Sequence, residues 1–251
     1  MRVLLAAIEC QKGDLDGNLA AHRKLLSQAA ADGCDLVLFP EMSLTGSADP
    51  GSGRGALIAL DHPAVTELTR ATDGLGTAAC FGIAEQKPAG PAHITQLVAG
   101  GGRLLGIQRK RHLGDGEEDF TPAAGAVLFD WAGARFGVAI CAESGYDDPF
   151  DDAAACGAGL VLFPSAPGLY GRRTSQASWQ AGYAWWEGSG LGDAIRHARR
   201  LGLWIALAGQ AGSTIDEDFP GLAALVGPDG AVMSRLPDWR PGTLTVQIPL
   251  G

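Results

Sequence analysis

The chain has 251 residues, 46% hydrophobic and 19% charged, with a formal net charge of −9. That length suits one large α/β domain with a sizeable core, and the composition excludes a disordered chain. The acidic balance argues against nucleic acid or an anionic membrane surface as a partner, because both require a basic face.

In chain order, Val3 to Ile8 reads as a buried strand. Asp14 to Asp32 reads as a helix, with apolar positions at Leu15, Leu19, Leu25 and Leu26. Asp35 to Pro40 is a short apolar strand stopped by proline. Asp61 to Asp73 is a second helix, with Asp61 as its cap and Pro63 in its first turn. Thr77 to Ala84 is a strand, and Ile94 to Val98 with Leu104 to Arg109 form a hairpin around Ala99-Gly100-Gly101-Gly102-Arg103. Ala126 to Trp131 and Arg135 to Ile140 form another hairpin, and a helix runs from about Asp147 to Cys156. Leu160 to Pro164 echoes the earlier strand, proline included. Gln176 to Leu201 is mainly helical, with a break near Gly188-Ser189-Gly190. Leu203 to Ala208 is a strand. Leu222 to Val226 and Ala231 to Ser234 flank the turn Gly227-Pro228-Asp229-Gly230, and Thr243 to Ile248 is an edge strand.

No linker divides this order, so one domain over residues 1–251 is expected. Two similar halves of strands and helices point to two sheets packed on each other, each covered by helices. The glycine-rich run Gly51-Ser52-Gly53-Arg54-Gly55 lacks a preceding strand and a following Gly-Lys-Ser/Thr, so it reads as a loop and not as a phosphate cradle. The N-terminus has only about seven apolar residues before Glu9, with no signal-peptide pattern, and no run approaches a membrane span. Five cysteines without a C-x-x-C fit reduced thiols in a cytoplasm. The five histidines show no paired-ligand spacing, so no metal or other cofactor is expected. There is no G-x-S-x-G elbow.

Three strand ends carry polar groups that their apolar neighbours do not explain: Glu41 after Phe39-Pro40, Lys110 after Gly106 to Arg109, and Cys141 after Gly137 to Ile140. Sites in layered α/β folds gather at strand ends. A thiol near pKa 8.5 needs activation, and a neighbouring carboxylate can take its proton. An ammonium can hold the negative oxygen of a tetrahedral intermediate, and the N–H of Ala142, next to the thiol, is a natural second donor. Taken singly, each residue has a plainer reading as a buried thiol, a loop carboxylate or a solvated cation; the three together carry the sharper one. Cys34 and Cys80 read as buried small residues, Cys10 as a weak rival nucleophile, and Cys156 as helix packing.

Five segments in order resemble the nitrilase (carbon–nitrogen hydrolase) superfamily: LVLFPEMSLTG at 36–46, QRKRHLGDGEEDFTPAAG at 108–125, GVAICAES at 137–144, LVLFPSAPG at 160–168 and FPGLAALVGPDG at 219–230. The spacing, 69 residues from Glu41 to Lys110 and 31 from there to Cys141, agrees as well. The resemblance implies a four-layer α-β-β-α sandwich and a homodimer. It implies hydrolysis of a small-molecule amide or N-carbamoyl compound, in preference to a nitrile, through a cysteine thioester. It also implies a second glutamate that orients the lysine, for which Glu118 is the choice and Glu117 the alternative, and a structural role for Glu143. An isochorismatase-like cysteine hydrolase and a catalytically silent scaffold of the same fold are the competing readings. Two segments depart from the better-known branches: Ser144-Gly145-Tyr146-Asp147-Asp148, and the stretch holding Ala184-Trp185-Trp186-Glu187 and Asp193-Ala194-Ile195-Arg196-His197-Ala198-Arg199. Both are expected to border the pocket, with Tyr146, Trp185 and Trp186 shaping it for substrate; core or dimer packing is the alternative reading of the two tryptophans.

Overall fold

A computed structural model describes residues 1–51, 56–87 and 90–250; most of the glycine-rich run, residues 52–55, lies outside the described residues. The chain begins β1 (Arg2–Ala7), α1 (Leu15–Ala31), β2 (Leu36–Leu38), α2 (Pro63–Arg70), β3 (Ala78–Glu85), β4 (His93–Gly100) and β5 (Arg103–Arg109). It continues β6 (Phe129–Trp131), β7 (Ala134–Val138), a 3-10 turn (Cys141–Gly145), α3 (Asp148–Ala155) and β8 (Leu160–Ser165). Then come α4 (Gln176–Trp186), a π-helical turn (Glu187–Leu191), α5 (Gly192–Leu201), β9 (Trp204–Gly209), β10 (Ala211–Ser213), β11 (Asp218–Pro220), β12 (Ala223–Val226), β13 (Val232–Arg235) and β14 (Gly242–Gln247).

Two mixed six-stranded sheets result, ordered β14-β1-β2-β3-β4-β5 and β13-β12-β9-β8-β7-β6. Each has three parallel strands at its centre, β1-β2-β3 in one and β7-β8-β9 in the other, with antiparallel strands on both sides. The central strands are covered on both faces and are therefore almost continuously apolar. One apolar cluster joins Val3, Leu5 and Leu38 of the first sheet to Val161, Leu207 and Ala224 of the second. Another packs Leu4, Val37 and Phe81 beneath Leu19 and Leu26 of α1 and Leu68 of α2. The layers run helix, sheet, sheet, helix, so the expected sandwich is the fold.

Hydrogen bonds also stitch the sheets together near the strand ends. Ala211 N–H donates to Ile8 O at 2.9 Å, Gln210 Nε2 to Cys10 O at 3.1 Å, and Ser47 Oγ to Gln210 Oε1 at 3.0 Å. Several expected boundaries move for local reasons. The cap of α2 is His62, whose Nδ1 accepts from the Ala64 N–H at 3.2 Å, and not Asp61; Pro63 keeps its place in the first turn. Ala126 to Leu128 fall outside β6, and the Val127 N–H is satisfied by the Gln108 side chain at 2.8 Å. The helical segment from Gln176 breaks at Gly188-Ser189-Gly190, as the glycines indicated, but into a π turn that keeps the chain helical. Cys156 caps α3 and is exposed, so it does not pack. Among the described residues, no helix is long and apolar enough to cross a membrane.

Candidate active site

Glu41 follows β2, where Pro40 can donate no ladder hydrogen bond and the chain leaves the sheet. The loop then runs along β3: the Leu44 N–H donates to Gly82 O at 2.9 Å, and the Gly82 N–H to Ser43 Oγ at 3.2 Å. A side chain at position 82 could not be fitted, since its Cβ would stand 2.3 Å from the Met42 nitrogen. Met42 itself has φ +46, a backbone state disfavoured outside glycine. The close approach fixes where Glu41 points, and its side chain is almost fully buried.

Lys110 leaves the end of β5, its N–H on Ile94 O at 2.8 Å and its carbonyl receiving the Ala123 N–H at 2.9 Å. The side chain crosses the interior, and its ammonium meets Glu41 Oε1 at 2.7 Å and Glu117 Oε1 at 2.6 Å. Glu117 is in turn held by the Gly114 N–H at 2.7 Å. Glu118 is exposed and accepts only a local bond, from the Gly116 N–H at 3.2 Å. The choice between the two is thereby corrected: Glu117 stands on the lysine, because in this loop adjacent side chains diverge and only one can face inward.

Cys141 opens the 3-10 turn after β7 with φ +46. Its buried thiol lies within electrostatic reach of Glu41, Lys110 and Glu117, next to Ala166, whose N–H follows β8 and donates to Glu41 Oε2 at 3.1 Å. Glu143, two residues on, is fully buried and accepts from the Ile140 N–H at 2.6 Å and the Arg111 N–H at 2.5 Å. It therefore staples the strand end carrying Cys141 to the one carrying Lys110, and does not cap the helix after it.

Burial raises the Glu41 carboxyl above the ordinary range; Lys110 opposes this and Glu117 adds to it. Burial, then the charge of Glu41, pushes the Cys141 thiol well up, although Lys110 pulls the other way. For Lys110, burial favours the neutral amine, but Glu41, Cys141 and Glu117 together outweigh it and hold the ammonium. A neutral thiol therefore faces a carboxylate able to take its proton, beside a fixed positive charge.

A cavity of about 310 Å³ lies beside this trio, lined among others by Met42, Glu117, Ala166 and Phe219; Met42 follows Glu41, Glu117 holds Lys110, and the Ala166 N–H holds Glu41. The residues expected to shape it lie elsewhere. Tyr146 is exposed and stacks on His112, ring centroids 3.9 Å apart. Trp186 is buried against Phe163, 6.2 Å between centroids. Trp185 lines a separate, mostly apolar cavity of about 390 Å³ that meets the first only at Gly168 and Tyr170. Neither tryptophan lines the cavity beside Glu117 and Ala166. Ala142 directly follows Cys141, with its methyl group close over Gly114. Sequence reading did not single out Ala166 or Tyr170, both within the segment after β8; their parts come from a backbone N–H and from loop geometry, which residue type does not announce. Among the described residues, no group of three or more His, Cys, Asp or Glu could hold a metal ion.

Residues 4–251 match the family model of the carbon–nitrogen hydrolases. The chain belongs to that family. The hydrolase is 25% identical to the NitN amidase from Nesterenkonia sp. AN1, with a TM-score of 0.83 over 99% of this chain and 93% of that one. A mutant of the same amidase, described as a member of the nitrilase superfamily, superimposes with a TM-score of 0.82 at 25% identity, over 99% of this chain and 92% of that one. An N-carbamoylputrescine amidase from Arabidopsis thaliana is 24% identical across 94% of this chain and 83% of its own length. The hydrolase is thus an amidase-like enzyme acting on carbon–nitrogen bonds.

Proposed function

We propose that the protein hydrolyses a small amide, N-carbamoyl amines included, with Cys141 as nucleophile, Glu41 as general base and acid, and Lys110 with the Ala142 N–H as oxyanion donors. The observation that carries this reading is the Lys110 ammonium seated 2.7 Å from Glu41, with the buried Cys141 thiol close enough for both charges to act on it. Glu41 takes the thiol proton as sulfur attacks the carbonyl carbon. The negative oxygen forms beside Lys110, and the C–N bond breaks as Glu41 passes the proton to the leaving nitrogen. The thioester that remains is attacked by water, which gives its proton to Glu41. The acid is then released as the C–S bond breaks and the thiol regains its proton. The reading is tested by ammonia release from short amides, N-carbamoyl amines and nitriles; a protein that hydrolyses none of them, while its thiols react alike with iodoacetamide, is a scaffold. The homodimer and the cytoplasmic location belong to the same proposal, the former read by sedimentation equilibrium.

Glu117 acts in this scheme as a positioning residue. Glu117→Gln lowers kcat about tenfold to a hundredfold with KM nearly unchanged, since a hydrogen bond to a charged group contributes about 1.5–3 kcal/mol. Glu118→Gln leaves both constants as they were. Equal effects from the two variants would contradict the assignment.

The cavity wall favours a substrate with a cationic end. Asp115 and Glu217 line it, beside Lys12. Lys12 stands 3.8 Å from Glu217, and Asp115 adds an exposed carboxylate on the same wall. Such a wall concentrates cations. The carbamoylputrescine of the Arabidopsis relative's name, an amine-ended compound, fits that preference. An amide with a distal ammonium is expected to show kcat/KM about tenfold above its equal-length neutral analogue at low salt, with the gap closing as salt screens the wall. Asp115→Asn narrows the gap. Equal rates at low ionic strength would refute the preference.

A further inference from the structure

The two segments that depart from the better-known branches touch each other. Asp147, after the nucleophile turn, pairs with Arg196 of α5 at 2.7 Å and with Arg200 at 3.5 Å. Arg200 also reaches Asp151 of α3. Beneath these exposed pairs is a buried contact. His197, fully buried on α5, donates from Nε2 to the Ser144 carbonyl at 2.8 Å. The Arg196 guanidinium donates to the same carbonyl at 3.2 Å, and Ser144 Oγ donates to Asp193 at 3.1 Å. The His197 ring is stacked on Phe150 of α3, 3.8 Å between centroids and 8° from parallel.

We propose that His197 is a positioning residue for the nucleophile turn, holding the Ser144 carbonyl so that Cys141 and the Ala142 N–H keep their aim at the reacting carbonyl. This inference rests on the reading of Cys141 as nucleophile. The physical need for such a strut is the backbone of Cys141. A non-glycine residue at φ +46 is strained, and persists only where its surroundings over-determine it. The turn spans only Cys141–Gly145, too short to hold itself. Glu143 secures its entry, through the Ile140 and Arg111 N–H groups. At Ser144 its exit is held by α5, with two contacts to the carbonyl and one to the hydroxyl, and Tyr146 just beyond is stacked on His112.

The ring does this work as a neutral group. Burial lowers its pKa, and the guanidiniums of Arg196 and Arg200 lower it further, against the Ser144 carbonyl and Asp147. The Ser144 carbonyl, 2.8 Å from Nε2, can only accept, so the proton sits on Nε2 and Nδ1 is left to accept from Arg200 Nη2 at 3.2 Å; Arg196 Nη2, 2.9 Å from Nε2, gives its own proton to the same carbonyl.

The test compares His197→Phe, which keeps the stacking but loses the donor, with His197→Gln, whose amide N–H can reach the place of Nε2. On a small amide that the wild-type enzyme hydrolyses, His197→Phe is expected to lower kcat about tenfold to a hundredfold, with KM within about twofold, because a small misplacement of a nucleophile costs that much. His197→Gln is expected to recover most of the loss, and both variants to melt close to wild type. Should His197→Phe fail to fold, Arg196→Met decides: it removes the second donor from the same carbonyl at a partly exposed position, and is expected to lower kcat severalfold without changing KM. A wild-type kcat in the folded variant, a loss confined to KM, or no recovery with glutamine overturns the proposal. Turnover by Cys141→Ala would instead overturn the reading beneath it.

Discussion

Cys141→Ala is expected to lose turnover by about 10⁴- to 10⁶-fold while keeping the fold, since removing a covalent nucleophile leaves only substrate binding and the oxyanion donors. The argument begins with the protonation state of the thiol. Burial and the neighbouring Glu41 carboxylate hold the Cys141 proton in place, so there is no standing thiolate to attack a substrate. In the proposed mechanism the nucleophile is made only as the proton passes to Glu41, and the acyl group then rests on sulfur. Alanine has no atom to accept it. Mass spectrometry of the wild-type protein mixed with a slow amide should show the mass of one acyl group on the peptide carrying Cys141; the variant should show none. Stability should change little, because the substitution deletes one sulfur and leaves the backbone at φ +46, a strain that alanine and cysteine share. Hydrolysis by Cys141→Ala at the wild-type rate would remove the basis of the mechanism.

Lys110→Ala should harm both activity and stability, and the two losses have separate causes. Loss of an oxyanion donor alone is worth about 2.7–4 kcal/mol, or 10²- to 10³-fold in kcat. The stability loss comes from what is left behind. Glu41 and Glu117 bracket the ammonium at 2.7 and 2.6 Å, and without it two carboxylates face each other inside the protein. Breaking a buried pair by removing one partner costs about 3–5 kcal/mol, which lowers Tm by roughly 10 °C in a domain of this size. The sign of the pH dependence follows. The Glu41 carboxyl is already raised by burial, and losing its cation raises it further. The variant is therefore least stable at high pH, where the carboxylates are ionised, and recovers as the pH falls through the raised pKa and Glu41 takes up a proton. A thermal melt that is flat in pH and equal to wild type would show that the three groups do not share one buried network.

Residue type and order alone were enough to indicate three things. The apolar strands interrupted by proline and glycine indicated two sheets with helices outside, because a strand covered on both faces must be apolar along its whole length. The polar residues at three strand ends indicated side chains that lie near one another in the fold, Lys110 on Glu41 and Cys141 within reach of both charges, because strand ends of layered sheets gather on common edges. The five segments in order indicated the family. All of these are properties of composition along the chain, and the physics that reads them is local.

The tertiary structure decided what depends on direction. Glu117 and Glu118 are chemically alike and adjacent, and only the path of the loop from Gly114 to Phe120 determines which one points at Lys110. Tyr146, Trp185 and Trp186 have the side chains of a binding wall, yet none of them lines the cavity beside Glu117 and Ala166: Tyr146 is stacked on His112 and Trp186 lies against Phe163. The acids at the cavity mouth come from residues as far apart as Asp49 and Glu217, and no spacing rule unites them. The contact between α5 and Ser144 spans 53 residues, and it exists because two helices pack on the same face of the second sheet. Sequence sets the chemical type of a group, but its aim is set by backbone direction, and that follows from packing over the whole chain.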